Sequence, residues 1–158
     1  MIRKVKREEL SACAGLIRQS FLTVAEEYGI TEQNAPGFTA FSVTEERLAR
    51  DFDNIAMYAA EEDGALCGFY ALRPADGGDC ELNNLAVPPA CRRRGIGGAL
   101  LAHAFDTARA AGFRGIRAGI VEENAPLRAW YEQHGFRHTG AEKYPFFPFT
   151  CGYLRKEL

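Results

Sequence analysis

The sequence predicts a mixed α/β fold of the α+β kind, in which about seven strands form one mostly antiparallel sheet with a bulged fourth strand and four helices pack on it. Two apolar runs, 55–62 and 65–73, are separated by an Asp-Gly pair, which favours a type I′ hairpin turn. A strand, a helix and a strand follow one another within residues 81–122, and such a unit requires a right-handed parallel crossover. Residues 81–87 have an irregular apolar spacing that a regular strand does not show.

Length and composition predict one domain, residues 1–158, with an ordinary core. The chain is 47% hydrophobic and 25% charged, which is typical of a globular protein in water. No apolar run approaches the ~20 residues of a membrane span, so no membrane partner is expected. The basic first residues are not followed by an apolar stretch, and we therefore expect no signal peptide and a cytoplasmic location.

Charge and cysteine usage exclude several classes of function. The formal net charge of −2 gives no general attraction to nucleic acid. The five cysteines are an odd number without a C-x-x-C pair, which argues against a disulfide framework and against a metal site. We expect reduced thiols and no bound metal.

The first third of the chain predicts one short strand and two helices. Residues 1–6 alternate weakly, as a strand would, and residues 8–28 carry apolar side chains at helical spacing. Glycine, proline and asparagine without periodicity predict a loop over 29–41. Ser42 and Glu45 form a candidate capping box that begins the second helix.

The fourth strand is predicted to carry a β-bulge. Leu82 and Leu85 are three residues apart, whereas Leu85 and Val87 are two apart. A strand keeps such residues on one face only if an extra residue is inserted, here near Asn83 or Asn84. The bulge would separate the strand from its parallel neighbour and leave N–H groups near Leu85 and Val87 without partners.

The remaining elements follow from helix boundaries and apolar runs. A helix is predicted over about 95–111, followed by a buried strand at 115–123. Asn124 is an N-cap candidate for a fourth helix, which Gly135 closes. Two final strands are joined by an aromatic segment.

The segment CRRRGIGGALL, residues 91–101, predicts an anion-binding loop. Glycines let the backbone approach a ligand closely, and a helix N-terminus offers unpaired N–H groups of partial positive charge. The dinucleotide pattern G-x-G-x-x-G fails at Leu100, and a G-x-x-x-x-G-K-[ST] loop is absent. A phosphate-bearing small molecule other than a dinucleotide suits the loop best.

Arg92-x-x-Gly95-x-Gly97, after a bulged strand and before a helix, resembles the acyl-CoA signature of the GCN5-related N-acetyltransferases. In that family the loop amides bind the pyrophosphate of coenzyme A, so the resemblance implies acetyl-CoA as cofactor and a GNAT-like fold. The cofactor-binding residues expected from it and from the bulge are Leu85, Ala86, Val87, Arg92, Arg93, Arg94, Gly95, Ile96, Gly97, Gly98 and Asn124.

A second segment, NAPLRAWYEQHGF at 124–136, resembles the family's other cofactor segment. The resemblance implies that Asn124 contacts the coenzyme and that Tyr131 lies near its sulfur as the catalytic acid. Asn124 is equally well explained as an N-cap, and both roles can hold together. Tyr131 is also explained as a core aromatic residue whose hydroxyl contacts solvent.

The general base is less well defined by the sequence. Glu81 is the nearest acidic side chain on the bulged strand, and similar family members place there a glutamate that acts through water. Glu122 and Glu123, at the end of the next strand, are competitors. The aromatic segment 144–149, together with the 29–41 loop, either walls an acceptor pocket or belongs to the core.

These observations predict an acetyl-CoA-dependent N-acetyltransferase that acts by direct attack in a ternary complex. The acceptor is expected to be a primary amine of a small molecule or a peptide. The sequence is compatible with a homodimer. The alternative is a non-catalytic acyl-CoA-binding sensor or regulatory module.

Overall fold

The computed structural model describes residues 1–158 and contains one seven-stranded sheet. The strands are β1 (Ile2–Lys4), β2 (Ala56–Glu62), β3 (Ala65–Pro74), β4 (Asp79–Ala86), β5 (Gly115–Val121), β6 (Arg137–Glu142) and β7 (Cys151–Glu157). Their order is β1-β2-β3-β4-β5-β7-β6, and only β4 and β5 are parallel. The predicted fold class is confirmed.

Five α-helices pack on this sheet, one more than the sequence predicted. They are α1 (Leu10–Glu27), α2 (Thr39–Ser42), α3 (Glu45–Asp51), α4 (Ile96–Ala110) and α5 (Ala125–Gln133). The additional helix, α2, is a single turn within and just beyond the predicted 29–41 loop. Burial of Ala40, which is 1% exposed, stabilises a turn too short to have a sequence period.

The predicted start of α3 was wrong by two residues. Thr44, not Ser42, is the N-cap, and its hydroxyl accepts a hydrogen bond from the Arg47 amide at 3.1 Å. Ser42 is the last residue of α2 and donates to the Gly37 carbonyl at 3.1 Å. Ser42 therefore belongs to the additional helix α2 and cannot be the N-cap of α3 that the sequence pattern predicted.

The hairpin and the bulge are both confirmed. Asp63 and Gly64 between β2 and β3 have φ values of 51° and 80°, as a type I′ turn requires. In the β3–β4 pair, Phe69 lies opposite Ala86 and Ala71 lies opposite Asn83, so β4 has one extra residue. Asn84, with φ 55°, is at this bulge, and asparagine tolerates the left-handed region better than most residues.

The parallel pairing of β4 with β5 is very short. It covers only Asp79–Glu81 against Gly115–Arg117, whereas β5 remains paired with β7 as far as Val121. Beyond Glu81 the two strands therefore separate, and this edge of β4 has no strand partner. The gap between them connects the two faces of the sheet.

A buried ion cluster holds the paired end of these strands together. The Asp79 carboxylate, 3% exposed, accepts hydrogen bonds from Nε of Arg155 at 2.8 Å and Nε of Arg117 at 2.9 Å. The hydrogen bond from Arg155, followed by that from Arg117, lowers the pKa of Asp79 to about 2. A Cβ at Gly115 would stand 2.7 Å from the carboxylate, so the cluster requires glycine there.

Helices cover both faces of the sheet. On one face, α4 and α5 bury an apolar core that includes Leu100, Leu101 and Tyr131. On the other face, α1 and α3 cover a core that includes Ile17 and Phe69, and a third cluster forms around Phe38 where α1 ends. The separation of β4 from β5 lies between these layers.

Candidate active site

A cavity of about 750 Å³ occupies the gap between β4 and β5. Its lining includes Leu85 and Tyr131, which pack with the α4-side core, and Phe38 and Phe149, which belong to the cluster at the end of α1. The cavity therefore has a half on each face of the sheet. Its volume is within the ~300–1,000 Å³ range of small-molecule sites.

The loop at residues 92–98 forms an anion seat in the α4-side half. Arg93 and Gly95 have φ values of 65° and 76°, and Gly95 is the N-cap of α4. The backbone N–H groups of residues 93–98 donate to no acceptor within the protein. Consecutive free amides at the N-terminus of a 15-residue helix form a site for phosphate groups.

The three arginines of this loop point in different directions. Arg92 donates from Nε to the Val87 carbonyl at 2.9 Å and from Nη2 to the Ser20 carbonyl at 3.1 Å. Partial desolvation of this guanidinium lowers its pKa. Arg94 pairs with Glu62 at 3.2 Å and does not line the cavity. Arg93 lines the cavity and makes no side-chain hydrogen bond or ion pair in the protein.

The residues predicted on β4 are divided between the two faces. Leu85 and Val87 line the cavity beside the seat, and Arg92, Ile96, Gly97 and Gly98 line it too. Ala86 does not line it, because its side chain is 1% exposed in the core on the α1 face. Whether the amides near Leu85 and Val87 hold a ligand stays a prediction.

Helix α5 supplies Asn124 and Tyr131 to the cavity lining. The Asn124 side chain accepts a hydrogen bond from the Leu127 amide at 3.2 Å, so its capping role is confirmed. Its contact with a coenzyme stays a prediction.

Tyr131 is both a core aromatic residue and a cavity residue. It is 6% exposed, and its ring meets the rings of Trp130 and Phe136 edge-on at 5.1 Å. Its hydroxyl makes no hydrogen bond within the protein. Burial raises the pKa of Tyr131, because the phenolate would be poorly solvated. The side chain therefore keeps its proton at neutral pH.

None of the three carboxylates considered as base lines the cavity. Glu81 lies at the end of the parallel pairing, opposite Arg73 and Arg117 in the sheet register. Glu122 contacts His138 Nε2 at 2.8 Å, and Glu123 accepts a hydrogen bond from the Thr150 amide at 3.1 Å. The role of Glu81 through water stays a prediction.

The α1-side half is an aromatic chamber formed by Phe21, Phe38, Phe147 and Phe149. Phe38 contacts Phe21 and Phe149 with ring centroids 6.1 and 5.6 Å apart, and Phe147 stacks on Phe149 at 4.7 Å. Phe149 is buried in the cluster around Phe38 and also lines the cavity. Phe149 is therefore a core residue and also part of the pocket wall, so both predicted alternatives apply to it.

Two polar residues of this chamber carried no recognisable sequence signal. Glu27 lies at the C-terminal end of α1, on the cavity-lining face that also carries Ser20 and Val24. Tyr153 of β7 lines the cavity and donates to the Tyr144 hydroxyl at 2.8 Å, and Tyr144 donates to Glu142 at 3.0 Å. Hydrogen bonding to Tyr144 and burial raise the pKa of Tyr153.

The sequence model of the Acetyltransferase (GNAT) family matches residues 21–136, which include the seat, α5 and most of α1's cavity face. The chain belongs to this family. The resemblance found in the two sequence segments is thereby confirmed. No helix of this GNAT protein is long and apolar enough to cross a membrane.

Individual proteins that are similar in sequence to this chain are also named acetyltransferases. A mycothiol acetyltransferase of Clavibacter michiganensis subsp. michiganensis is 34% identical over 88 residues, which are 56% of this chain and 28% of that protein. The chain thus spans less than a third of that relative's length. The uncharacterized N-acetyltransferase YjgM of Escherichia coli is 29% identical over 146 residues, 87% of this chain and 82% of that protein.

A solved structure shows the same fold over the whole chain. The PaiA N-acetyltransferase of Thermoplasma acidophilum, in complex with coenzyme A, superposes with a TM-score of 0.81 at 22% identity. The superposition covers 100% of this chain and 98% of that one.

The residues of this GNAT protein fit coenzyme A. The free amides of residues 93–98 and the unpaired Arg93 match the negative charge of a pyrophosphate. The apolar side chains of Leu85, Val87 and Leu127 beside the seat suit the less polar pantetheine arm.

Proposed function

We propose that the protein transfers an acetyl group from acetyl-CoA to a primary amine of a small molecule or peptide, by direct attack in a ternary complex. One observation carries the proposal: a single cavity joins an anion seat on one face of the sheet to an aromatic chamber on the other. A donor and an acceptor could thus enter from opposite faces and meet in the gap between β4 and β5. Acetyl-CoA, when bound, supplies an acetyl group activated as a thioester.

Binding and orientation of the donor are assigned to the seat and to β4. The amides of residues 93–98 and the Arg93 guanidinium hold the pyrophosphate. The edge of β4 beyond Glu81 has no strand partner, so its amides near Leu85 and Val87 are the proposed donors to the pantetheine arm and to the carbonyl oxygen on which negative charge develops.

Tyr131 is the proposed general acid. Burial keeps its phenol protonated, and its hydroxyl has no partner within the protein. An ordinary thiol has a pKa of about 8.5, below that of a phenol, so in water this proton transfer would be uphill. In the buried cavity the departing thiolate is desolvated as well, which raises the pKa of its conjugate thiol towards that of the phenol. In this role Tyr131 returns a proton to the departing sulfur.

Two routes are proposed for the proton that the amine must lose. In the first route, which the family resemblance implies, the amine proton passes through water to Glu81. The structure adds a hydrogen-bonded chain that begins at Tyr153 in the chamber. In this route the amine proton passes to Tyr153, the Tyr153 proton passes to Tyr144, and the Tyr144 proton passes to the Glu142 carboxylate.

One observation favours the alternative of an acyl-CoA sensor: no carboxylate that the sequence offered as base lines the cavity. A sensor would bind acetyl-CoA through the same seat but would release no CoA in the presence of amines. The two functions therefore share the first step and differ in the second.

The test measures both steps with the same protein. Calorimetry gives the affinity for acetyl-CoA, and a thiol reagent follows CoA release in the presence of small amines and short peptides. Binding with amine-dependent release supports the enzyme. Binding without release from any acceptor supports the sensor, and failure to bind acetyl-CoA contradicts both.

A further inference from the structure

The cavity is electrically polarised along its length. Its charged lining residues are Arg92 and Arg93 at the anion seat and Glu27 in the chamber. Glu27 is exposed and forms neither an ion pair nor a side-chain hydrogen bond. A carboxylate without a partner therefore faces the half of the cavity that the acceptor would enter.

Two cations near the chamber are already engaged. The Arg92 guanidinium is held by the carbonyls of Val87 and Ser20. Lys143 does not line the cavity, and its ammonium group donates to the carbonyls of Tyr144 and Phe147. Arg47 makes no ion pair, but it lines a neighbouring pocket and not the chamber. A negatively charged group on an acceptor would thus meet Glu27 without a counter-charge in the chamber lining.

The walls of the chamber are mainly aromatic and aliphatic, and its uncharged polar side chains include those of Thr23, Thr39 and Tyr153. The centroid distances of 4.7–6.1 Å link Phe21, Phe38, Phe147 and Phe149 into one surface, which Val24 and Val121 extend. Aromatic faces attract cations as well as apolar groups. The aromatic and aliphatic faces offer no hydrogen-bond partners to the amides of a peptide, and burying such amides against them costs free energy.

From this arrangement we infer that the acceptor is a small primary amine on an apolar or aromatic carbon skeleton that carries no carboxylate. The ammonium group is drawn to Glu27, and the skeleton packs on the phenylalanine surface. An amino acid with the same side chain brings a carboxylate next to Glu27, where like charges repel. This inference rests on the proposed acetyltransferase function and specifies its substrate class.

The inference is tested with amines that differ only in the carboxylate. Phenethylamine is compared with phenylalanine, and tryptamine with tryptophan, in the CoA-release assay at saturating acetyl-CoA. We expect kcat/KM to be at least about tenfold higher for each amine than for its amino acid. A short peptide with an N-terminal phenylalanine is expected to be a poorer acceptor than phenethylamine.

A pair of variants on α1 isolates the role of Glu27. Glu27→Gln should lower kcat/KM for phenethylamine about tenfold, narrow its advantage over phenylalanine, and leave the affinity for acetyl-CoA unchanged. Glu26→Gln removes the same charge from the neighbouring exposed position, which does not line the cavity, and should change neither quantity.

The outcomes separate this inference from the function on which it rests. Efficient acetylation of amino acids or peptides, but not of the apolar amines, would overturn the substrate class and leave the acetyltransferase standing. Equal effects of Glu27→Gln and Glu26→Gln would also overturn it. Binding of acetyl-CoA with no CoA release from any acceptor would overturn the proposed activity and the substrate class together.

Discussion

The Arg92 guanidinium donates through Nη2 to the main-chain oxygen of Ser20 at 3.1 Å, across a separation of 72 residues in the chain. The same side chain holds the Val87 carbonyl through Nε at 2.9 Å. One arginine thus ties the anion seat to the end of β4 and to α1, whose other residues wall the aromatic chamber. Because Arg92 is engaged in this way and Arg94 pairs with Glu62, Arg93 is the loop arginine that is free to contact a ligand.

Arg93→Ala is therefore expected to weaken acetyl-CoA binding by a factor on the order of ten, as the loss of one charge-assisted hydrogen bond predicts. Calorimetry at low and high ionic strength should show a smaller effect at high salt, because counter-ions screen an exposed charge. Arg94→Ala is the matched control, since Arg94 pairs with Glu62 outside the cavity lining. An equal loss in both variants would contradict the assignment.

Gly97→Ala should separate ligand binding from stability. A Cβ at Gly97 would lie 3.5 Å from the Trp130 side chain, an ordinary contact, so the folded protein accommodates it. Alanine also favours the helix over glycine, by up to about 1 kcal/mol. We expect an unchanged or raised melting temperature without ligand. Acetyl-CoA binding should weaken, because the methyl group adds bulk to the cavity lining beside Trp130 and Val87.

Gly15→Ala in α1 provides the control for Gly97→Ala. A Cβ there has no neighbouring heavy atom within 4 Å. This variant should gain stability from helix propensity and keep its affinity for acetyl-CoA. If Gly97→Ala also kept its affinity, the pyrophosphate would not lie over residue 97.

Local chemistry explains what the sequence predicted correctly. The Asp-Gly turn needs only the conformational preferences of two residues, and both have positive φ. The bulge at Asn84 is visible as a break in a two-residue period. By contrast, the single turn α2 is too short to show a helical period, and it displaced the predicted cap from Ser42 to Thr44.

Contacts between distant segments explain what the sequence could not predict. The sequence offers Arg92, Arg93 and Arg94 alike as cofactor contacts. Only Ser20 and Glu62, far away in the chain, determine which of the three is free. Glu27 and Tyr153 belong to no motif. Packing of the end of α1 and of β7 around the gap brings them to one cavity.

Asp79→Asn should destabilise the fold by about 2 kcal/mol, because it removes the charge that Arg117 and Arg155 share. The folded-state pKa of Asp79 is lowered from its ordinary 3.8 to about 2. Its contribution is therefore complete above pH 3.8 and is lost as the pH falls towards 2. Urea unfolding across this range should show the difference between wild type and variant shrinking at acid pH.

Asp76→Asn is the control for Asp79→Asn. Asp76 also pairs with Arg117, but its side chain is 89% exposed, and exposed pairs contribute little. The variant should unfold nearly as the wild type does at every pH. A pH-independent difference for Asp79→Asn would show that packing, not charge, stabilises the paired end of β4 and β5.

Tyr153→Phe tests the proton route that begins in the chamber. It removes the hydroxyl and keeps the ring, so we expect acetyl-CoA affinity to be unchanged and turnover to fall by about tenfold or more. Glu142→Gln, at the far end of the hydrogen-bonded chain, should act in the same direction. Full turnover in both variants, with a loss in Glu81→Gln, would assign the proton to Glu81.

Tyr131→Phe tests the acid. Asn124 and Tyr131 are seven residues apart, about two turns and some 10 Å along α5, and both line the cavity. If Asn124 contacts the coenzyme near its phosphates or pantetheine, the Tyr131 hydroxyl lies nearer the coenzyme sulfur.

Because the Tyr131 hydroxyl makes no hydrogen bond in the protein, its removal should leave the melting temperature and acetyl-CoA affinity nearly unchanged. Turnover with an accepted amine should fall by a factor on the order of 10² or more, as for a lost general acid. Unchanged turnover would reject Tyr131 as the acid, and a parallel loss of stability and affinity would assign it to packing alone.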